Sequence, residues 1–75
     1  MGSLCIRHQK QGDFKVIWDP RNEDQVDVAE FQFKEAKKKG FLAFKTEKDG
    51  SGGSEIMEFE RGAERIIMIS LADGG

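Results

Sequence analysis

The sequence predicts a single small domain of the α+β class, in which one helix packs on one face of a mixed β-sheet and the elements follow the order ββαβββ. Three observations support this prediction. The chain has 75 residues, which suits one domain with one compact core. A segment with helical periodicity lies in the middle of the chain, and strand-like apolar runs lie on both sides of it.

The helix is the most clearly marked element. Asn22 and Gln25 have the spacing of a capping box, although Asp19 is a competing cap. The acidic residues after Asn22 and the lysines 37–39 complement the helix dipole, and Gly40 is typical of a helix end. The residues that recur at helical spacing, and that form the predicted core face, are Val26, Ala29, Phe33 and Ala36.

Two apolar residues of the helix, Val28 and Phe31, do not belong to this core face. At about 100° per residue they project from roughly the opposite side of the helix. One interpretation is that they are lone exposed residues, which are normal on protein surfaces, or that the N-terminal segment covers them. The other interpretation is a second contact with a partner protein.

The predicted strands differ in how clearly their two faces are marked. In the segment 14–18 every second residue is apolar, which indicates a half-buried strand, and a weaker alternation marks 4–8. Strands at 41–46 and 55–60 are joined by a Gly- and Ser-rich connection that is typical of a hairpin loop. The run 66–69 is apolar on both faces, which indicates a central strand.

These patterns suggest which side of the sheet faces the helix. The residues assigned to the helix-facing side are Phe14, Val16, Trp18, Leu42, Phe44, Met57, Phe59, Ile67, Ile69 and Leu71. The residues assigned to the opposite side, as a candidate protein-binding patch, are Ile17, Ala43, Ile56, Ile66 and Met68. Two alternatives remain: the sheet packs in a dimer, or the register is shifted by one residue and the patch is core. If the patch is exposed, replacing Ile66 and Met68 by Ser leaves folding intact.

The composition argues against several classes of function. A formal net charge of −2 does not suggest a nucleic-acid binder, which usually carries a basic excess. No apolar run approaches the roughly 20 residues that a membrane-spanning helix needs. The single cysteine, Cys5, cannot form an internal disulfide, which favours a reducing compartment. We therefore expect a cytoplasmic protein, monomeric or weakly dimeric, without a membrane or nucleic-acid partner.

No catalytic or metal-binding constellation stands out, so we expect neither an enzyme nor a bound metal or cofactor. The only histidine, His8, lies three residues after Cys5, and on a strand two such side chains point to opposite faces. One cysteine and one histidine also fall short of the usual four zinc ligands. The loop 49–53 lacks the Gly-Lys-Ser/Thr ending of a phosphate-binding loop.

The two ends of the chain have interpretations of their own. Residues 1–3 are interpreted as a remnant of expression or as a disordered start. Residues 72–75 predict a flexible tail that ends in Gly74 and Gly75. Because glycine has no Cβ, such an end can enter the narrow channel of an enzyme that adenylates a terminal carboxylate. The alternative is that the Gly-Gly pair is incidental.

The element order and the ending Leu-Ala-Asp-Gly-Gly resemble the β-grasp ubiquitin-like family, which includes small sulfur carriers. The resemblance implies a central last strand that leads into an exposed tail. It also implies a non-catalytic protein-interaction domain whose Gly74-Gly75 end is activated by an adenylating partner enzyme. The alternative function is a structural or binding module of a phage or mobile element, since "VIWDP", "KGFLAF" and "ERIIMI" are similar to segments of small phage proteins.

Overall fold

The structure, a computed structural model, describes residues 1–8, 12–49 and 51–70. Within these ranges, five strands and one helix follow one another in the predicted order. They are β1 (Gly2–His8), β2 (Gly12–Trp18), α1 (Glu23–Lys38), β3 (Phe41–Thr46), β4 (Ser54–Ile56) and β5 (Arg65–Ser70). The predicted α+β class and the order ββαβββ are therefore confirmed.

The strands form one sheet with the spatial order β2-β1-β5-β3-β4. Strands β1 and β5 run parallel, and the other three neighbouring pairs are antiparallel. The sheet is therefore mixed, with β5 at its centre, which is the position that its apolar residues on both faces predict. This arrangement with one helix is compatible with a β-grasp-like fold.

The start of α1 resembles the predicted capping box but differs from it in one contact. The Asn22 side chain accepts a hydrogen bond from the Gln25 backbone N–H at 3.2 Å, as an N-cap does. The Gln25 side chain, however, accepts from the Asp19 N–H at 2.8 Å, while the Asn22 N–H donates to the Asp19 carbonyl at 2.9 Å. The cap therefore also holds the turn between β2 and α1. At the other end, Gly40 has a φ of 96°, which favours glycine.

The core lies between α1 and one face of the sheet. Its buried hydrophobic residues are Leu4, Ile6, Trp18, Val26, Ala29, Phe33, Ala36, Phe41, Ala43, Ile56, Ala63, Ile66 and Met68. All four predicted core residues of the helix are among them. On β2, Trp18 is fully buried and Val16 packs against the core, as predicted, whereas Phe14 at the end of the sheet is still 43% exposed.

The strand predicted at 55–60 is wrong beyond its first two residues, because β4 ends there and an irregular segment follows. Met57, which was assigned to the helix-facing side, is 69% exposed. Phe59 does reach the core, where its ring lies 5.1 Å from that of Trp18 and 5.9 Å from that of Phe33, measured between centroids. The segment 57–64 thus covers one end of the core without pairing in the sheet.

The contacts of Arg61 tie this covering segment to the start of the helix. Its carbonyl oxygen accepts a hydrogen bond from the Trp18 indole N–H at 2.9 Å. Its guanidinium donates to the Pro20 carbonyl at 2.6 Å and to the Glu23 carboxylate at 2.5 Å. The buried tryptophan therefore has its one polar group satisfied, as is usual for a buried indole.

The first residues of the chain take part in the fold. Gly2 begins β1, is buried and pairs with Trp18, while the Ser3 N–H donates to the Glu64 carbonyl at 3.1 Å. A Cβ at position 2 would lie 2.3 Å from the Trp18 ring and 2.8 Å from the Ala63 carbonyl oxygen. The expectation of a disordered start is therefore wrong for Gly2 and Ser3, because the indole packs directly against this backbone.

Candidate binding face of the sheet

Burial reverses the predicted faces of β3, β4 and β5. Ala43, Ile66 and Met68 are 0% exposed and Ile56 is 7% exposed, all within the core. The prediction that these four residues lie outward is wrong. For these three strands the alternative interpretation, a register shifted by one residue, is the correct one. Because side chains alternate along a strand, such a shift moves every side chain to the other face of the sheet.

Two charged residues show why the sequence left this choice open. Lys45 shares its face with Ala43 and thereby suggests that this face is solvent-exposed. In the structure Lys45 lies on the helix side, where its Nζ meets Glu60 Oε1 of the covering segment at 2.7 Å. Arg65 carries the correct signal, because it lies on the same face as Ile67. A sequence-based rule that weighed Arg65 above Lys45 would have found the right face.

The side of the sheet opposite α1, which we call the open face, carries the alternate residues of every strand. They are Asp13, Lys15 and Ile17 of β2, Ser3, Cys5 and Arg7 of β1, Arg65, Ile67 and Ile69 of β5, Leu42, Phe44 and Thr46 of β3, and Glu55 of β4. Of the predicted patch, only Ile17, which is 55% exposed, lies on this face.

The strand registers align the middle of the open face in one row. Across the sheet from β2 to β4 this row contains Lys15, Cys5, Ile67, Phe44 and Glu55. The centre of the row is apolar, and its ends carry opposite charges. In the next row Ile69 lies beside Leu42, which widens the apolar area.

The apolar side chains in the centre of the open face are half-buried, because neighbours in the sheet cover one another. These residues, which we call the apolar centre, are Cys5, Leu42, Phe44, Ile67 and Ile69. The remaining rows add charge around it, with Arg7 and Arg65 on the strands β1 and β5. An apolar area rimmed by charges is the usual appearance of a protein-binding surface.

The outer face of α1 exposes the second pair of candidate contact residues. Val28 is 54% and Phe31 is 59% exposed, and residues three apart on a helix are neighbours. The interpretation that the N-terminal segment covers them is wrong, because that segment is β1, inside the sheet. Whether a partner contacts this pair stays a hypothesis.

No site for metal chemistry is found in the described parts of the chain. Among residues 1–8, 12–49 and 51–70, no group of three or more His, Cys, Asp or Glu residues could hold a metal ion. The predicted Cys5–His8 pair includes a side chain, that of His8, which lies outside the described structure. Within the same ranges, α1 is neither long nor apolar enough to cross a bilayer.

The predicted activation site lies outside the described residues. These end with β5 at Ser70, so Leu71, the tail 72–75 and its Gly74 and Gly75 are not part of the structural description. Within the described residues, the features that can be compared with a β-grasp-like fold are the element order and the central last strand.

Comparisons with known proteins find no family model, no curated protein and no solved structure that matches this chain. The fold class and the open face are therefore the observations from which a function is proposed.

Proposed function

We propose that this protein is a non-catalytic protein-interaction domain that binds its partner through the open face of the sheet. The observation that carries the proposal is the apolar centre, which no other described element covers, on a sheet whose other face is covered by α1 and the segment 57–64. Apolar side chains of this size contribute stability when water is removed from them. A second protein surface is the most direct way to remove it.

Burying the apolar centre against a partner should contribute a moderate binding free energy. Full burial of a large apolar side chain contributes about 1.5–3 kcal/mol, and the residues of the apolar centre are already half-buried. Each therefore retains less than about 1 kcal/mol that a partner can supply. The charged rim, including Lys15 and Glu55, contributes orientation and specificity more than affinity.

Photo-cross-linking tests the proposed surface. A benzophenone amino acid replaces Phe44 on the open face, Phe31 on the helix, or Lys34 as an exposed helix control. We expect covalent protein adducts, identified by mass spectrometry in a lysate and with the purified chain, chiefly from position 44. Adducts from position 31 would support the second contact. Adducts equally frequent at positions 44 and 34 would refute the open face as the binding surface.

A finer form of the proposal is a ubiquitin-like modifier or sulfur carrier. It is supported by the element order, by the central position of β5 before the tail, and by the terminal Gly74-Gly75. In this chemistry the Gly75 carboxylate attacks the α-phosphate of ATP, pyrophosphate leaves, and a sulfide or amine then displaces AMP from the acyl adenylate. The adenylating enzyme would be the partner protein.

Intact-mass measurement tests this chemistry. After incubation with ATP and a lysate of the source organism, we expect the mass change of oxygen replaced by sulfur, or a covalent adduct. Deletion of Gly75 should abolish either product. An unchanged mass together with a stoichiometric protein partner would refute the modifier and leave the interaction domain.

A further inference from the structure

We propose that the partner of the open face is a second copy of this chain, in an isologous dimer whose two-fold axis runs parallel to β5. The inference rests on the proposed function and names the partner of the same surface. It follows from the order of charges across the sheet. When two copies stack about an axis parallel to β5, opposite charges meet, and when they stack about an axis perpendicular to the strands, like charges meet.

The position of β5 decides which strands meet. Packed sheets lie about 10 Å apart with their strands aligned to within about 30°. A two-fold axis parallel to the central strand places β5 over β5 of the second copy. The same rotation exchanges the edges, so that β2 lies over β4 and β1 lies over β3 of the second copy.

The charges at the two edges select this axis. Lys15 and Glu55 lie in the same row on opposite edge strands. The rotation therefore brings Lys15 of each copy over Glu55 of the other, which makes two attractive pairs. An axis perpendicular to the strands would instead place Lys15 over Lys15 and Glu55 over Glu55. Opposed like charges at an interface disfavour that second arrangement.

These two residues have no way to satisfy each other within one copy. They are separated by four strand spacings, or roughly 19 Å, which is beyond the reach of an ion pair. With the described residues of their own chain, neither Lys15 nor Glu55 forms a salt bridge. Any energetic coupling between the two positions must therefore arise between copies.

The apolar centre is also compatible with this axis. Ile67, in the middle of the row on β5, lies over Ile67 of the second copy. Cys5 lies over Phe44 of the second copy, and the reverse pair forms by symmetry. The apolar side chains thus meet one another along the row, between the two charged pairs.

Two contacts oppose the dimer. In the row of Ile69, Arg7 lies over Leu42 of the second copy, where the charge loses water to an apolar neighbour. Arg65 lies on β5, one row from Ile67, and approaches its own copy at the rim of the interface. The footprint of three rows across five strands is roughly 400 Å² per copy, smaller than the roughly 800 Å² of a stable interface. We therefore expect a weak dimer, tightened severalfold by Arg65→Gln.

A charge-exchange experiment tests the pairing directly. Lys15→Glu and Glu55→Lys are both changes at exposed positions on edge strands, so the fold should be retained, which circular dichroism checks. Each variant alone would carry two like-charged pairs and should dimerise at least about tenfold more weakly than the original chain. Mixed together, they restore both attractive pairs. We expect a heterodimer within about threefold of the original affinity.

The measurement is sedimentation equilibrium for each chain, and native mass spectrometry of the mixture with one variant labelled with ¹⁵N. Ile67→Thr keeps a β-branched residue on β5 and should also weaken the dimer. A mixture of the two charge variants is attractive about either axis, so the single variants distinguish the axes. Single charge variants that dimerise as tightly as the original chain would overturn the proposed axis, and so would a mixture that associates no better than its separate components. An original chain that stays monomeric up to about 1 mM would overturn the dimer itself.

A chain that stays monomeric would separate the dimer inference from the proposed function. If a monomeric chain still gives adducts with other proteins from position 44, the partner is a different protein and the interaction domain stands. If position 44 gives no protein adduct at all, both proposals fail.

Discussion

The two faces of the sheet carry similar apolar side chains, yet only one face is a closed core. On β5 the contrast appears between adjacent residues, since Ile66 is 0% exposed and Ile67 is half-buried. The difference lies in what covers each face. Helix α1 and the segment 57–64 cover one side, whereas none of the other described elements packs on the open face. Apolar residues alone therefore do not define a core; the elements packed over them do.

The two faces also differ in how they treat charge. On the core side, Lys45 lies at the periphery and meets Glu60 of the covering segment at 2.7 Å. On the open face, Lys15 and Glu55 mark the two edges around the apolar centre. On the core side Lys45 thus has a partner within the chain, whereas Lys15 and Glu55 form no salt bridge with the described residues.

The most severe test of this contrast compares the two neighbouring isoleucines. Ile66→Ala should lower the free energy of unfolding by about 2–5 kcal/mol, because it leaves a cavity under the helix. Ile67→Ala should cost less than about 1.5 kcal/mol in the monomer, because solvent already reaches its side chain. Urea denaturation of dilute protein measures both values. Equal losses would mean that the two faces are not distinct.

By the same reasoning, Ile66→Ser and Met68→Ser should impair folding. This expectation replaces the sequence-based one, in which both replacements were harmless.

A smaller effect is expected where the N-terminal backbone meets the core. Gly2→Ala should destabilise the protein by about 1–3 kcal/mol, because the new methyl group overlaps the Trp18 ring and the Ala63 carbonyl. Gly62→Ala is the matched control, since a Cβ there has nothing within 4 Å. The control should change stability by less than about 0.5 kcal/mol. Thermal unfolding of both variants provides the comparison, and a neutral Gly2→Ala would contradict this packing.

The smallest expected effect concerns pH and the turn that leads into the covering helix. The Arg21 backbone N–H donates to the Asp19 carboxylate at 2.9 Å and holds the pKa of Asp19 below its usual 3.8. Since the folded-state pKa is depressed, the stabilisation is present above the unfolded-state value and is lost as pH falls through the folded-state one.

Asp19→Asn should therefore lower stability slightly at neutral pH and leave it unchanged in strong acid. Urea titrations of both chains between about pH 6 and pH 2 measure this difference. A difference that grew on acidification would contradict the sign.

Much of the fold could be predicted because its signals are local. The periodicity of Val26, Ala29 and Phe33 identified the core face of α1, and Gly40 marked its end. The alternation in β2 correctly directed Trp18 inward. The extent of β4 was not predictable in this way, because residues 57–60 alternate like a strand but Phe59 reaches the core from an irregular segment. Gly2 gave no signal either, since its requirement comes from a residue sixteen positions later.

The sequence by itself determined the class of the fold, the order of its elements and the central place of β5. Those features depend on caps, turns and apolar runs, which act over a few neighbouring residues. Only the tertiary structure decided which face of β3, β4 and β5 is the core, and therefore which residues form the candidate site. A strand that is apolar on both sides has two equivalent alternations, and the choice between them is made by the helix and the covering segment that pack on one side.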